Sequence, residues 1–192
     1  MKTPVLSHRF EEAFHYANQL HGGQLRKGSQ VPYISHLLGV TALVLEDGGD
    51  EDQAIAALLH DAAEDQGGRE TLAEIRRRFG ERVAGIVDGC TDTYENPKPP
   101  WRERKIAYIQ HLRTASKDVR RVSLADKLHN ARSILMDLRQ YGETTWERFN
   151  GGKEGTLWYY RSLVEIFQQV DSSPMVKELA SIVKNIEAIA KD

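Results

Sequence analysis

Apolar residues recur along this chain at helical rather than strand spacing. Phe10, Phe14 and Ala17 follow one another at intervals of four and three, which predicts a first helix over about 7–21 that stops at Gly22-Gly23. After a polar turn containing Arg26, Lys27, Gly28 and Ser29, Pro32 precedes a second apolar series, Leu37, Val40, Leu43 and Val44, closed by Gly48-Gly49. Asp50 is a natural N-cap for a third helix. Its run Ala54–Leu59 is apolar on every side, as a helix surrounded by other helices must be, and predicts the central element of the fold.

Farther along, Thr71 with Glu74 reads as a capping box ahead of Ile75 and Phe79, and Gly80 separates that short helix from another carrying Val83, Ile86 and Val87. The segment Asn96–Pro100 holds three prolines, breaks the helical pattern and is a candidate to lie beside a site. Ile106, Ile109 and Leu112 then resume the pattern. Val122, Ala125, Leu128, Ile134, Leu135 and Leu138 describe a long helix ending at Tyr141-Gly142, with two more near 155–171 and 174–191. Val119–Ser123 is the one stretch that reads as extended. With no internal repeat and no long alternation of apolar and polar residues, the pattern predicts an all-α bundle.

Size and charge narrow the class. The 192 residues, 40% of them apolar, suffice for one core, so a single soluble domain over 1–192 is expected. The 26 Lys and Arg nearly cancel the 28 Asp and Glu, leaving a net charge of −2, which argues against nucleic acid as a partner. No apolar run approaches the length of a bilayer span, no secretory signal opens the chain, and the one cysteine, Cys90, has no disulfide partner. A cytoplasmic protein with no membrane partner is expected; the oligomeric state stays open.

The chemistry concentrates at His60-Asp61, an imidazole and a carboxylate where the all-apolar helix ends. Burying such groups is costly unless they are paired or bind metal. His36 and Asp126 lie in equally apolar settings, so His36, His60, Asp61 and Asp126 form a candidate metal set joining three helices. A lone core histidine is more often satisfied by a backbone carbonyl; the coincidence of four favours the metal. Nitrogen and oxygen donors without thiolate favour a hard or borderline divalent ion such as Mn²⁺, with open positions for water and phosphoryl oxygens. Glu64 and Asp65 follow His60 and Asp61 by four residues, so one helical turn brings both carboxylates beside the candidate ligands as catalytic groups.

For Arg26 and Lys27, contact with phosphate or base and a solvated turn are both open readings. Arg102, Arg104 and Lys105 read as a solvated helix face that an anionic nucleotide would also suit. Trp158, Tyr159 and Tyr160 read as core, and His8, His15, His21 and His111 as surface or packing residues. His129, three residues after Asp126, reads as packing or as a group orienting that carboxylate.

Three motifs, Gly23-Gln24-Leu25-Arg26-Lys27 with Pro32-Tyr33-Ile34-Ser35-His36, His60-Asp61-Ala62-Ala63-Glu64-Asp65, and Ala125-Asp126-Lys127-Leu128-His129-Asn130, resemble the hydrolase domain of RelA/SpoT proteins. That is a branch of the HD-domain phosphohydrolases that includes stand-alone small alarmone hydrolases. The likeness is strongest over 10–139. It implies an HD-domain helical bundle with a buried metal site, Mn²⁺ on His36, His60, Asp61 and Asp126, and water attack assisted by Glu64 and Asp65. It further implies removal of the 3′-pyrophosphate from ppGpp or pppGpp, a small-molecule nucleotide substrate met by Arg26, Lys27 and Asn130, and, in a cationic position of the family, Lys153. A synthetase domain is not expected in a chain of this length.

The sequence departs from that pattern after Asp65, where Gln66-Gly67-Gly68 follows, and at the proline-rich Asn96–Trp101. Machinery of this kind attacks phosphorus without selecting a base, so a phosphatase of NADPH or of nucleoside monophosphates stays open as an alternative. So does an inactive nucleotide sensor, against which all four candidate ligands and both carboxylates speak.

Overall fold

The computed structural model describes residues 5–191; Met1–Pro4 and Asp192, the outermost residues of the expected 1–192 domain, lie outside the described residues. The elements are α1 (His8–His21), α2 (Ile34–Glu46), α3 (Glu51–Leu59), α4 (Ala62–Asp65), α5 (Gly68–Phe79), α6 (Glu81–Cys90), α7 (Trp101–Thr114), α8 (Lys117–Tyr141), α9 (Gly152–Val170) and α10 (Pro174–Ile189). A 3-10 helix, Gly142–Arg148, links α8 to α9. No strand occurs among the described residues. A single antiparallel bridge between Leu25 and Pro32 closes the turn after α1, with Arg26 N–H donating to Val31 O and Tyr33 N–H to Gln24 O, each at 2.8 Å.

The all-apolar run lies in the middle. Every α3 residue from Gln53 to Leu59 is buried, and the helix packs against α1, α2, α6 and α8. Its start is fixed by reciprocal hydrogen bonds: Gln53 N–H donates to Asp50 Oδ1 and Asp50 N–H to Gln53 Oε1, both at 3.0 Å. A cap of this kind is worth about 0.5–2 kcal/mol. Gln53 is buried, and the rest of its amide is satisfied by α8. It donates to Asp118 Oδ1 at 2.8 Å and accepts from the Arg121 guanidinium at 2.9 Å. Those bonds set the register of the long helix against the central one.

Two local expectations fail. Thr71 is no N-cap: α5 begins at Gly68, where Gly67 and Gly68 both have positive φ, and the Thr71 hydroxyl instead donates to Gln66 O at 2.5 Å. Glu74, the other half of the expected box, pairs with Arg77 and Arg78. Val119–Ser123 is helical, not extended. Ser116 caps α8 by accepting from Val119 N–H at 3.2 Å, and the β-branched Val119 and Val122 bury their side chains on the core face, where packing overrides strand propensity.

α2 and α8 approach closely at Gly39. A Cβ there would stand 2.3 Å from the ring of His129, so a larger residue would either part the two helices or push His129 aside.

Candidate active site

His36 comes from α2, His60 and Asp61 from the turn between α3 and α4, and Asp126 from α8. His36, His60 and Asp126 are buried and each offers one ligand atom, all within 4.8 Å of one another. His36 Nε2 lies 3.2 Å from Asp126 Oδ1 and 3.7 Å from Asp61 Oδ2; His60 Nε2 lies 3.0 Å from Asp61 Oδ2 and 3.7 Å from Asp126 Oδ1. The outer ring nitrogens are already engaged. His60 Nδ1 donates to Ala57 O at 2.8 Å, and His36 Nδ1 shares a hydrogen bond with His129 Nδ1 at 2.9 Å. That leaves both inner nitrogens, His36 Nε2 and His60 Nε2, buried without a hydrogen-bond partner.

Buried polar atoms are rarely left unsatisfied, so two such nitrogens facing two carboxylates fit a divalent cation. The carboxylates are ionised. Burial favours their protonated forms, but His60 outweighs it at Asp61, and Lys127, His36 and His60 outweigh it at Asp126, holding both well below the usual range. Tyr33 donates its phenol to Asp61 Oδ2 at 2.5 Å, and Asn130 its amide to Asp126 Oδ1, also at 2.5 Å. Orientation of ligands by such outer partners is usual at metal sites. His129 therefore supports His36 rather than Asp126.

α3 ends at Leu59 and the chain re-enters helix at Ala62, yet Asp65 N–H still donates to Asp61 O at 2.9 Å, so the expected turn survives the break. It carries Glu64 and Asp65 into the same cavity, about 860 Å³, that Asp61 and Asp126 line. Glu64 is gripped at both oxygens, by Lys98 Nζ at 2.7 Å and by Asp92 N–H at 3.0 Å. Asp65 accepts from Gln24 at 2.9 Å, and the loss of hydration against the cavity wall, then the charge of Asp61, raise its pKa from the ordinary aspartate value. The proline-rich segment does lie beside the site, through Lys98 and Trp101.

Arg26, Lys27 and Asn130 also line the cavity. Arg26 donates to Asn130 Oδ1 at 2.7 Å and stands 5.8 Å from the Tyr33 ring centroid, while the exposed Lys27 reaches Asn150 at 3.0 Å. Lys153 does not line this cavity; its ammonium is drawn to Glu143 on the 3-10 helix, 2.9 Å away. Arg104 and Lys105 are a correction, since both are largely buried and both bond Asp92 Oδ2 rather than forming a solvated face. Arg102 does lie outside, against the Trp158 ring. Tyr159 and Tyr160 are buried as expected, but at the cavity wall, and His21 is buried against Tyr33 with ring centroids 5.3 Å apart.

The sequence reading missed Lys127, whose ammonium bonds Asp126 Oδ2 at 2.6 Å, and Asp92, the anchor for two cations. Adjacent residues on a helix point apart, so Asp126-Lys127 carried no signal of contact. Asp92 sits in a loop without periodicity.

A family model described as "HD domain" matches residues 13–156, which include every residue discussed above as a candidate ligand, carboxylate or cation. The Xenopus tropicalis protein named guanosine-3′,5′-bis(diphosphate) 3′-pyrophosphohydrolase MESH1 is 40% identical over 126 residues, covering 64% of this chain and 68% of that protein. An Aquifex aeolicus guanosine-3′,5′-bis(diphosphate) 3′-pyrophosphohydrolase is 35% identical over 82% of this chain, but the chain spans only 19% of its length. Among solved structures, a metazoan orthologue of SpoT, described as hydrolysing ppGpp and playing a role in starvation responses, matches with a TM-score of 0.78 at 27% identity. The match covers 94% of this chain and 96% of that one. The protein lmo0812 from Listeria monocytogenes matches with a TM-score of 0.69 at 32% identity, over 82% and 99% of the two chains.

Proposed function

This chain belongs to the HD-domain family, and on that premise we propose that it hydrolyses guanosine 3′,5′-bis(diphosphate)-type nucleotides, releasing pyrophosphate from the 3′ position. One observation carries the reading. Two buried, unpartnered imidazole nitrogens face two ionised carboxylates at the wall of a cavity that also holds Glu64, Asp65 and several cations. His36, His60, Asp61 and Asp126 would hold the divalent ion, and their donor set, without thiolate, suits Mn²⁺. When bound, such an ion supplies Lewis acidity toward a phosphoryl oxygen and lowers the pKa of water.

The remaining work belongs to the chain's own residues. Attack of water on the phosphorus attached to O3′ forms one P–O bond and breaks the bond to the ribose; water gives up a proton and O3′ gains one. Asp65, with its raised proton affinity, takes the proton of the attacking water. Glu64, fixed by Lys98 and the Asp92 amide, orients that water. Arg26 and Lys27, near the turn that closes on Pro32, hold the nucleoside and its 5′-phosphates, and Asn130 links Arg26 to Asp126.

The substrate is a soluble nucleotide, and no described helix is long and apolar enough to cross a membrane. On this reading the protein works in the cytoplasm, without nucleic acid or membrane as a partner.

Product analysis tests the proposal. Mn²⁺-loaded protein given ppGpp, pppGpp, NADPH and nucleoside monophosphates should convert the first two to GDP or GTP with pyrophosphate. Orthophosphate as the primary product, or faster turnover of NADPH than of either guanosine substrate, would overturn it.

A further inference from the structure

At its inner wall the cavity carries three cations that the reaction as described does not use. The side chains of Arg104, Lys105 and Lys127 are only 11%, 18% and 15% exposed. Two carboxylates bond them, and the charge of a third, Glu64, also reaches Lys105. Asp92 Oδ2 accepts from Arg104 and, at 2.8 Å, from Lys105; Asp126 Oδ2 accepts from Lys127. Three cations thus share one recess, and Lys105 and Lys127 each hold a carboxylate with one donor while keeping others free for a further anion.

The donors are also incomplete. Each ammonium has three N–H groups and uses one on its carboxylate; the Tyr159 ring lies 5.3 Å from Lys105 and the Tyr108 ring 4.9 Å from Lys127. Beside them the Tyr159 hydroxyl, on a residue 7% exposed, has no hydrogen-bond partner. A buried phenol normally finds one. Asp92 Oδ1 is unpartnered too.

The cluster is tied to the reacting centre from both sides. Lys127 bonds the outer oxygen of Asp126, whose other oxygen faces His36 and His60. Asp92 donates its backbone N–H to Glu64. Lys27, exposed, lines the same cavity. A nucleotide whose proximal 3′-phosphorus meets Glu64 and Asp65 would bring its distal phosphate to the cluster that these bonds tie to them.

Resting on that reading of the reaction, we propose that Arg104, Lys105, Lys127 and the Tyr159 hydroxyl form the subsite for the distal phosphate of the 3′-diphosphate. They thereby fix which of its two phosphorus atoms meets water. A terminal phosphate offers three acceptor oxygens to these donors; a 3′-monophosphate leaves them unfilled. Selection of a diphosphate over a monophosphate, and release of pyrophosphate intact, follow from this one recess.

The test compares kcat/KM for guanosine 5′-diphosphate 3′-diphosphate with that for the 3′-monophosphate in the wild type, Lys105→Gln, Lys105→Arg and Tyr159→Phe. In parallel, the metal-replete wild type and Lys105→Gln are titrated calorimetrically with inorganic pyrophosphate and with orthophosphate at buffered free metal. The diphosphate-to-monophosphate ratio should fall about tenfold or more in Lys105→Gln, fall less in Tyr159→Phe, and recover in Lys105→Arg. The preference for pyrophosphate over orthophosphate should disappear in Lys105→Gln. Tyr159→Phe keeps the ring and its packing, so it decides the matter if Lys105→Gln does not fold. A ratio unchanged in the variants that fold, or equal losses on both substrates, overturns the subsite. If ppGpp yields pyrophosphate and the ratio survives, the recess fails and the reaction stands; if neither guanosine substrate turns over yet Lys105 confers the pyrophosphate preference, the substrate reading fails and the recess stands.

Discussion

Asp61 faces two imidazoles and takes a phenolic hydrogen bond from Tyr33 on the same oxygen. That bond orients the carboxylate. Tyr33→Phe should therefore weaken metal binding about 10–100-fold while leaving the helices intact, a change readable by titrating metal into the apoprotein. Unchanged affinity and turnover would make the contact incidental. Asp65 plays a different part: Asp65→Asn should keep its metal and lose about 10²–10⁴ in kcat, measured at saturating ppGpp. Because Asp65 must be ionised to take a proton and its pKa is raised, kcat should fall with decreasing pH, and the fall should begin at a higher pH than an ordinary aspartate would set. Metal content followed across the same pH range separates this fall from protonation of the histidines.

Among the helices, the contact between α2 and α8 is the tightest constraint on the site. Gly39→Ala would set a Cβ on the His129 ring, so either the helices part or His129 swings off His36. The expected cost is about 1–3 kcal/mol in urea unfolding of the apoprotein. Adding His129→Ala should return part of that loss, and a double variant no more stable than Gly39→Ala would place the strain elsewhere. None of this contact was visible in the sequence, where Gly39 is one small residue in an apolar helix and the Gly39–His129 pair lies 90 positions apart. His60-Asp61 was legible because charge at the end of an all-apolar run contradicts its setting. Glu64 and Asp65 were legible through a one-turn spacing that the broken helix preserves. Arg104 and Lys105 were not, since a cation on a weakly patterned helix reads as solvated until the buried carboxylate that holds it is known. Val119–Ser123 misled because its side-chain chemistry favours strands while its burial and its Ser116 cap favour helix.

For the molecule as a whole, the metal should act as a strut. His36 and His60 on one side and Asp61 and Asp126 on the other join α2, the α3–α4 turn and α8, so a cation that binds only the folded chain stabilises all three together. At a free concentration 100 times its dissociation constant the gain is about 2.7 kcal/mol. Chelation should lower Tm by several degrees, and Mn²⁺ should restore it; a Tm indifferent to chelator would remove the metal from the fold's energetics.

The burial of α3 on all sides has a further consequence. From Gln53 to Leu59 this helix has no outer face, so it has no position at which sequence can wander without disturbing the interior, and His60-Asp61 is carried on its end. The turn after α1, the proline-rich loop and the link between the 3-10 helix and α9 also line the cavity, where Lys27, Lys98 and Asn150 reach it from backbone outside the helices. A change inside α3 therefore reaches the metal-holding residues at its end, whereas Lys27, Lys98 and Asn150 stand on loops that can change shape while that centre stands still.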